Sequence, residues 1–434
     1  MLKHFTTLGS PLKSLYDFPD PSRLISRYRS LGYDECKCVG MNDFFTVLGD
    51  VKRIESLEPF DEFEEWHEKC NHYALTVATR GRDLLHLPFL RNEGCKPNPK
   101  SRKSCVWTLC EAPQELWRTT HSSLMLSKNT ALTVCGFANS KGVHKRVFAP
   151  VVTDLQTNMT RQIEIDGQET LEGRQHACAV RFMDGSIFIN GGRTSPLHAC
   201  QDEVLLSACA GQPHSFTATR IQSNCSPKPR WRHTLNVVHS RGRELAFLFG
   251  GRTAKESALN DCYIYSPATN TWTEVPHDAR TPSRRHSHAA VVVNNSNVFV
   301  TCGLGENETT LRTIHSYNIE RGAWEAVQSS GVLERYGHSV HFLQPDMLLL
   351  VGGVSRNHAR PCGVGVVRLT TGQCVEVAFP GQSVEHPIMV FNHASVLCDD
   401  VVVVIGGGGN CFSFGTHFNK CTAKIDVKSC LSIV

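Results

Sequence analysis

A unit that recurs six times constrains the fold of this sequence more than any other feature. Each copy begins at a histidine that opens an apolar strand and ends 14 to 18 residues later, at the second residue of a Cys-Gly or Gly-Gly doublet. Successive histidines are 50 to 57 residues apart. The paired positions are His121 and Gly136, His176 and Gly192, His233 and Gly251, His288 and Gly303, His338 and Gly353, and His393 and Gly407. Six copies at this period predict a radial or stacked array over about three quarters of the chain.

Inside one period the pattern is entirely β. The clearest copy places short apolar runs at residues 288–293, 297–303, 314–319 and 323–327, separated by Asn, Gly and polar turns, as in a four-stranded propeller blade. Tyr265 and Trp272, like Tyr317 and Trp324, are seven residues apart and are predicted to fill the space between neighbouring blades. This arrangement resembles kelch repeats, although copies one, two and six lack the aromatic pair. We therefore predict a mainly β fold with a six-bladed, kelch-like β-propeller.

A propeller must join its first and last sheets. After the sixth doublet the sequence has room for one more good strand, around residues 424–427, so the sixth copy lacks its outer strand. Residues 104–111 lie upstream of the first copy, and Trp107 precedes His121 by 14 residues, as Trp324 precedes His338. We predict that this segment supplies the missing strand, so that residues 104–428 form one propeller and residues 429–434 a tail.

Composition excludes several classes of protein. The net charge of +4 is mild and does not by itself demand a polyanionic partner. The 19 cysteines include no CxxC pairs at zinc spacing. Since no secretory leader or apolar run of membrane-spanning length is present, we expect an intracellular, cytoplasmic protein without a membrane partner. Asn158, Asn224 and Asn307 are then chance glycosylation sequons.

Residues 1–81 lie outside the repeat, and residues 82–103 are predicted to be a linker. Helices are predicted at residues 21–31, where Pro21 opens and Gly32 follows the helix, and at residues 59–71. Strands are predicted at residues 36–41 and 73–79. The acidic cluster at residues 55–68 could serve acid-base chemistry or a metal, but carboxylates in the first turns of a helix usually form a solvated face.

The non-repeating ends resemble a known family. The segment RIESLEPFDEFEEWHEKCNHYALTVATRG at 53–81, residues 4–15 and 41–45, and GGGGNCFSFGTHFN at 406–419 are similar to the kelch-containing, wybutosine-forming branch of the leucine carboxyl methyltransferase family. The resemblance implies that residues 1–81 are the C-terminal part of an incomplete class I methyltransferase domain, Rossmann-like in fold. It also implies two uses of S-adenosylmethionine on the hypermodified guanosine of phenylalanine tRNA, for carboxyl methylation and for methoxycarbonylation.

The sequence departs from that family at the cofactor site. A Rossmann-like sheet grips a nucleoside cofactor with a Gly-rich turn and an acidic residue after its first two strands, and residues 1–81 offer neither. Met1 falls where the family has internal sequence, so we expect a truncated gene model or a short isoform. We therefore assign no catalytic, cofactor-binding or metal-binding residue and expect no methyl transfer by these 434 residues alone.

Three motifs have competing interpretations. The run Gly406 to Gly409 follows an apolar strand, as a phosphate loop does, but no Lys-Ser/Thr follows, which favours the sixth doublet. Cys411 and His417 form a candidate catalytic pair without an acid partner. The repeat histidines could form a metal ring, but each belongs to its own blade, too far from the others for coordination, which favours a structural role.

Basic residues offer the best candidate binding site. We predict that these side chains contact tRNA phosphates, with Trp231 stacking on a base: Lys141, Lys145, Arg146, Lys228, Arg230 and Arg232. The alternative is that they lie on solvated loops and that the arginines recur only because they belong to the repeat. The corresponding alternative for the whole chain is a kelch module without enzymatic activity, which binds a protein partner through its propeller loops.

Overall fold

The computed structural model describes residues 6–11, 13, 14, 16–18, 20–41, 44, 70, 73–81, 104–140, 142–163, 165–167, 171–209, 215–306, 309–355, 362–380, 388–411 and 415–432. The chain divides into two compact units, residues 1–100 with 356–360, and residues 101–355 with 361–434. The predicted linker, the acidic cluster and all but Cys70 of the predicted second helix lie outside the described residues. None of the helices described is long and apolar enough to cross a membrane.

The first unit contains one helix and one pair of strands. The helix Pro21–Ser30 begins where the Asp20 carboxylate accepts a hydrogen bond from the Arg23 amide at 3.0 Å, which satisfies an amide that the helix itself leaves unbonded. Strands Glu35–Gly40 and Ala74–Thr79 pair in antiparallel fashion. These bounds match the predicted helix and strands to within a residue or two.

The second unit is built from six antiparallel sheets of four or five strands among its described residues. From the inner strand outward, sheet 1 is Ser122–Ser127, Thr130–Val134, Val151–Asp154 and Thr160–Gln162. Sheet 2 is Cys178–Arg181, Ile187–Asn190, Glu203–Ala208 and Phe216–Ile221, with Ile165–Asp166 added in parallel. Sheet 3 is Thr234–Ser240, Arg243–Phe249, Cys262–Ser266 and Thr271–Val275. Sheet 4 is Ala289–Val293, Asn297–Gly305, Thr310–Asn318 and Ala323–Val327, with Arg285–His286 beside the second strand.

Sheet 5 is Ser339–Leu343, Met347–Val351, Val364–Arg368 and Cys374–Val377. Sheet 6 is Ala394–Cys398, Val401–Ile405, Cys421–Asp426 and Trp107–Glu111. Short hairpins follow three of the doublets, at Phe137–Ser140 with Val143–Arg146, Arg193–Ser195 with His198–Ala199, and Gly408–Cys411 with Gly415–Phe418. Arg118–Thr119 pairs with the first of these. The 3-10 turn Gln114–Leu116 and the helix Val427–Leu431 complete the unit.

The sheets form a closed ring. Their inner strands contact one another in the order 1, 2, 3, 4, 5, 6 and back to 1. An apolar cluster of buried side chains lies between each pair of neighbouring sheets. Radial packing of this kind is the propeller architecture, so the predicted fold class, mainly β with a kelch-like propeller, is confirmed.

A ring of backbone hydrogen bonds circles the propeller axis. In each sheet, one residue just before the inner strand adopts a left-handed conformation. Its amide donates to the carbonyl of the matching residue in the preceding sheet, at 2.8 to 3.4 Å. The six residues are Thr120, His176, Arg232, Ser287, Gly337 and Asn392. We call this end of the axis, where the second and third strands of each sheet are also joined, the mouth of the propeller.

The second repeat is shifted by one residue from the predicted alignment. His176 occupies the left-handed position that Thr120 and Arg232 occupy in the adjacent repeats. Ala177 therefore takes the place of the repeat histidine, and its Cβ faces Gly192 as the Cβ of His233 faces Gly251. The assignment of His176 to the recurring position was wrong. In this repeat alanine replaces the recurring histidine, and the histidine directly before it satisfied the pattern in the sequence.

Sheet 6 combines the two ends of the propeller segment. Trp107–Glu111 pairs antiparallel with Cys421–Asp426, Trp107 opposite Ile425. The Trp107 ring stacks on Phe379 with centroids 5.1 Å apart. The helix Val427–Leu431 includes residues that we had assigned to the tail, and it buries Val427 and Cys430.

The predicted role of the aromatic pairs is confirmed. Tyr265 stacks on Phe188 of sheet 2 with centroids 4.5 Å apart, and Tyr317 stacks on Phe247 of sheet 3 at 4.7 Å. Stacked aromatic rings contribute beyond the area that they bury. These pairs therefore join sheet 3 to sheet 2 and sheet 4 to sheet 3.

Candidate functional site

The buried arginines of the repeat are part of its framework. Five sheets have an arginine three residues before the histidine position, and its guanidinium donates to the carbonyl of the first doublet residue at 3.1 to 3.4 Å. They are Arg118, Arg174, Arg230, Arg285 and Arg335. In sheet 6 the position is Val390, and the Asn419 amide donates to the Gly406 carbonyl instead, at 2.7 Å.

Arg230, one of the predicted tRNA contacts, belongs to this set. Its side chain is 1% exposed. The guanidinium bonds the Asp261 carboxylate through two nitrogens, at 2.5 and 2.8 Å. A bidentate pair of this kind holds the guanidinium in a fixed orientation. Arg230 therefore stabilises sheet 3 from inside.

The repeat histidines join neighbouring sheets. His288 and His393 hydrogen bond through Nε2 to Thr234 and Ser339 of the preceding sheet, each at 3.0 Å. Burial lowers the pKa of His233 and His393 to about 3, so these rings are neutral at physiological pH. In the described part of the chain no group of three or more His, Cys, Asp or Glu residues could hold a metal ion.

Positive charge is concentrated at one side of the mouth. The guanidinium groups of Arg193 and Arg252 each lie over the Trp231 ring, 5.7 Å from its centroid. Arg232, in the backbone ring, donates to the Ser287 hydroxyl at 2.9 Å. Burial lowers the pKa of His176, and the nearby charges of these arginines and of His286 lower it further. We call Arg193, Arg232 and Arg252, with His176, Trp231 and His286, the basic mouth.

Trp231 does not have the role that we predicted for it. Trp231 is 1% exposed, so its ring cannot stack on a nucleotide base. The ring instead makes cation–π contacts with Arg193 and Arg252. The prediction of a stacking aromatic at this position was wrong, because the sequence shows a tryptophan beside arginines but does not show whether the ring is exposed or buried.

A hairpin of sheet 1 extends the basic surface. Lys145 is exposed and Arg146 partly exposed on the strand Val143–Arg146. Arg146 donates to the Gln175 side chain at 3.1 Å, and the backbone of Gln175 exchanges two hydrogen bonds with Arg193. Arg146 is therefore linked through one residue to the basic mouth.

The other predicted contacts lie elsewhere. Lys228 is exposed and forms an ion pair with Glu256 at 3.2 Å. Lys141 lies outside the described residues. The structure thus brings Arg146 and Arg232 to the mouth, with Lys145 next to Arg146 on the hairpin.

Arg193 and Arg252 were missed by the sequence prediction. Each directly follows a Gly-Gly doublet, at Gly191-Gly192-Arg193 and Gly250-Gly251-Arg252. Alignment of the repeats on the doublet rather than on the histidine places both arginines at one position and would have found them.

Comparison with known proteins places the chain in a family. Residues 120–353 match the family model of the KLHDC2/KLHL20/DRC7 Kelch-repeats domain. Proteins named tRNA wybutosine-synthesizing protein 4 from Homo sapiens and Rattus norvegicus are each 33% identical over 99% of this chain, and the chain covers 66% of their length. The protein of the same name from Eremothecium gossypii is 26% identical over 96% of the chain, which covers 59% of it. The chain thus spans slightly less than two thirds of the length of the human and rat proteins. The chain therefore belongs to the kelch-repeat family and is a homologue of proteins named tRNA wybutosine-synthesizing protein 4.

Proposed function

We propose that this chain takes part in wybutosine biosynthesis and that its propeller binds phenylalanine tRNA at the basic mouth. The name shared by its relatives supports the pathway. Arg193 and Arg252 converge on Trp231, and both lie with Arg232 close to His176; this clustering of arginines is the observation that carries the binding role. Clustered arginines in a recess focus the electrostatic field on an anionic ligand.

The charged surface would divide into two parts. Lys145 and Arg146 lie on a projecting hairpin, where side chains can follow a nucleic acid backbone and neutralise its phosphates. The arginines of the basic mouth are mostly buried, as Arg193 is 4% and Arg232 8% exposed. They would raise the positive potential at the axis, while the hairpin makes the outer contacts.

Charge reversal tests the hairpin contacts. In the variant Lys145→Glu/Arg146→Glu we expect tRNA affinity at 0.1 M salt to fall at least about tenfold, and the slope of log affinity against log salt to shrink by roughly 1.5 to 2. The measurement is fluorescence anisotropy with labelled phenylalanine tRNA over a salt series.

The matched control makes the same change in charge at the opposite end of the propeller. Lys128 lies in the turn between the first two strands of sheet 1, and Arg321 lies between the last two strands of sheet 4. Both are exposed and form surface ion pairs with Asp399 and Glu325, which contribute little to stability. Equal losses of affinity in Lys128→Glu/Arg321→Glu and in the hairpin variant would contradict binding at the mouth.

Methyl transfer is part of the proposal only because the resemblance to the family implies it. The resemblance implies S-adenosylmethionine-dependent carboxyl methylation and methoxycarbonylation, but residues 1–81 contain no Gly-rich turn and acidic partner with which to hold that cofactor. We therefore expect these 434 residues alone to be inactive. Isothermal titration should show no binding of S-adenosylmethionine, and a micromolar dissociation constant would contradict this expectation.

The match to kelch repeats favours a second function, the binding of a protein partner. The three hairpins that follow the doublets stand at the mouth and could form such a surface. A protein ligand whose binding is unchanged by excess phenylalanine tRNA would support this alternative over the tRNA-binding role.

A further inference from the structure

The helix Pro21–Ser30 of the first unit is strongly basic. Its sequence, PSRLISRYRS, contains three arginines and no Asp or Glu. Leu24, Ile25 and Tyr28 are partly buried, whereas all three arginines are exposed. The helix packs against both strands of the first unit, so its apolar side is covered and its charged side faces solvent.

The exposed arginines and one serine share a side of this helix. Arg23, Ser26 and Arg29 follow one another at intervals of three residues, and Arg27 lies four residues after Arg23. Residues at these spacings are neighbours on a helix surface. Ser26 is also exposed. We call Arg23, Ser26, Arg27 and Arg29 the arginine face.

The stability of the helix accounts for only part of this charge. Arg27 and Arg29 lie in the last turn, where the helix dipole favours cations, but Arg23 places a positive charge in the first turn, where the dipole disfavours it. Arg23 and Arg27 are also four residues apart, a spacing at which like charges repel. A role outside the helix is therefore the better explanation for Arg23.

The arginine face has no internal counter-ion. The Asp20 carboxylate is engaged by the Ser22 hydroxyl and the Arg23 amide. Among the described residues, no ion pair includes any of the three arginines. Their guanidinium groups are therefore available to an external anion.

Aromatic side chains accompany these cations. The Arg27 guanidinium lies over the Phe18 ring, 4.7 Å from its centroid, in a cation–π contact. This contact places the segment before the helix beside the arginine face. In that segment Tyr16 is 66% exposed. An exposed aromatic ring near unpaired cations is the combination that binds single-stranded nucleic acid.

We propose that the arginine face is an RNA-contact surface of the first unit. Its three arginines bind phosphates, the Ser26 hydroxyl donates to a phosphate oxygen, and Tyr16 stacks on an unpaired base. The inference rests on the proposed function in its choice of phenylalanine tRNA as the RNA. It adds a second surface, in a unit to which the proposed function assigns no binding residue.

The packing of the helix favours RNA over an anionic membrane. A basic helix that lies on a membrane inserts its apolar side between the lipids. Here Leu24, Ile25 and Tyr28 are partly buried on a helix that packs against two strands, so this side is already occupied. The surface left to a partner is polar and positively charged, as a phosphate backbone requires.

Neutralisation of two arginines tests the proposal and preserves the helix, because glutamine is nearly as good a helix former as arginine. In the 434-residue chain carrying Arg23→Gln/Arg27→Gln, we expect tRNA affinity at 0.1 M salt to fall about tenfold or more. The slope of log affinity against log salt should shrink by roughly 1.5 to 2. Fluorescence anisotropy with labelled phenylalanine tRNA over a salt series measures both.

Two further variants make this result specific. Lys128→Gln/Arg321→Gln removes the same charge from exposed residues of the second unit and should leave affinity and slope unchanged. Tyr16→Ala should weaken binding at least about fivefold with little change in slope, because stacking on a base neutralises no phosphate. Equal losses in the arginine-face variant and in Lys128→Gln/Arg321→Gln would overturn the inference.

The outcomes separate this inference from the proposed function. If the hairpin variant Lys145→Glu/Arg146→Glu weakens tRNA binding and Arg23→Gln/Arg27→Gln does not, the arginine face is overturned and the mouth stands. The opposite pattern supports the arginine face and contradicts the mouth. If both weaken binding, the combined variant should show the sum of the two reductions in slope. Binding to phosphatidylserine vesicles that is lost in Arg23→Gln/Arg27→Gln, with tRNA binding unchanged, would overturn the inference in favour of a membrane.

Discussion

Replacing Glu376 with alanine should lower the free energy of unfolding by about 3 to 5 kcal/mol, because a buried guanidinium would lose its counter-ion. Arg335 and Glu376 lie in sheet 5 with side chains 0% and 6% exposed, and their closest atoms are 2.6 Å apart. Burial by itself lowers the pKa of Arg335, but the Glu376 carboxylate raises it above its usual value. The second carboxylate oxygen also accepts the Gly363 amide at 2.8 Å. Urea unfolding curves would measure the loss.

Two comparisons make this result specific. Glu325→Ala removes the exposed partner of Arg321, whose side chain is 76% exposed, and should cost less than about 1 kcal/mol. In Arg335→Met/Glu376→Leu no charge is left unpaired, so stability should recover in part. If Glu376→Ala lowers the free energy of unfolding no more than Glu325→Ala does, the buried pair of Arg335 and Glu376 does not stabilise the fold.

Glu203 should make the propeller less stable as the pH rises. Its carboxyl group is buried between sheets 2 and 3 and accepts the Trp272 indole N–H at 2.7 Å and the Asn190 amide at 3.0 Å through Oε1. Oε2 is hydrogen bonded to Ser223. Burial raises the pKa of Glu203, although these three hydrogen bonds oppose the effect.

The sign follows from proton binding. The folded state holds a proton that the unfolded chain releases at the ordinary glutamate pKa, so this stabilisation is complete below that pKa and is lost as pH rises through the higher folded pKa. The Ser223 hydroxyl also lies 2.8 Å from Asn270 Oδ1. Its single proton can serve only one of these two acceptors at a time, which limits how much it stabilises the charged carboxylate.

Two substitutions at Glu203 give opposite expectations. Glu203→Gln keeps an acceptor for Trp272 and a donor for Ser223, so at pH 8 it should be more stable than the wild type, with the difference shrinking as pH falls toward 4. Glu203→Ala leaves buried donors without an acceptor and should cost about 3 kcal/mol. Unfolding curves over this pH range measure both, and a pH-independent difference between Gln and wild type would show that Glu203 is ionised in the fold.

The repeating part of the fold can be predicted because the same contacts between side chains and backbone must form in every copy. The second doublet glycine faces the Cβ of its own histidine in sheets 1, 3, 4, 5 and 6, at 2.8 to 3.0 Å from where its own Cβ would be. A larger residue would collide there, so the doublet remains recognisable in sequence. The one-residue shift at Ala177 could not be predicted, since periodicity fixes spacing only approximately and a nearby histidine satisfied the pattern.

The candidate site was harder to predict because charge in a sequence does not reveal burial. Arg230 and Arg232 are two residues apart, yet the first bonds to Asp261 inside sheet 3 and the second lies in the backbone ring at the mouth. Arg232 itself adopts the left-handed conformation, which changes the direction of the chain there, and no composition or charge pattern encodes it. The contact between Arg193, Trp231 and Arg252 joins two sheets and becomes visible only when the repeats are superposed.

The most direct test of the central claim is the affinity of the wild-type 434-residue chain for phenylalanine tRNA as salt is increased. If the hairpin beside the basic mouth binds tRNA phosphates, log affinity should fall linearly with log salt, with a slope of roughly −2 or steeper. Hairpin charge reversal should reduce this slope, and reversal at the opposite end should not. Absence of binding at low salt, or an affinity that does not change with salt, would contradict the assignment of this propeller as a tRNA-binding module.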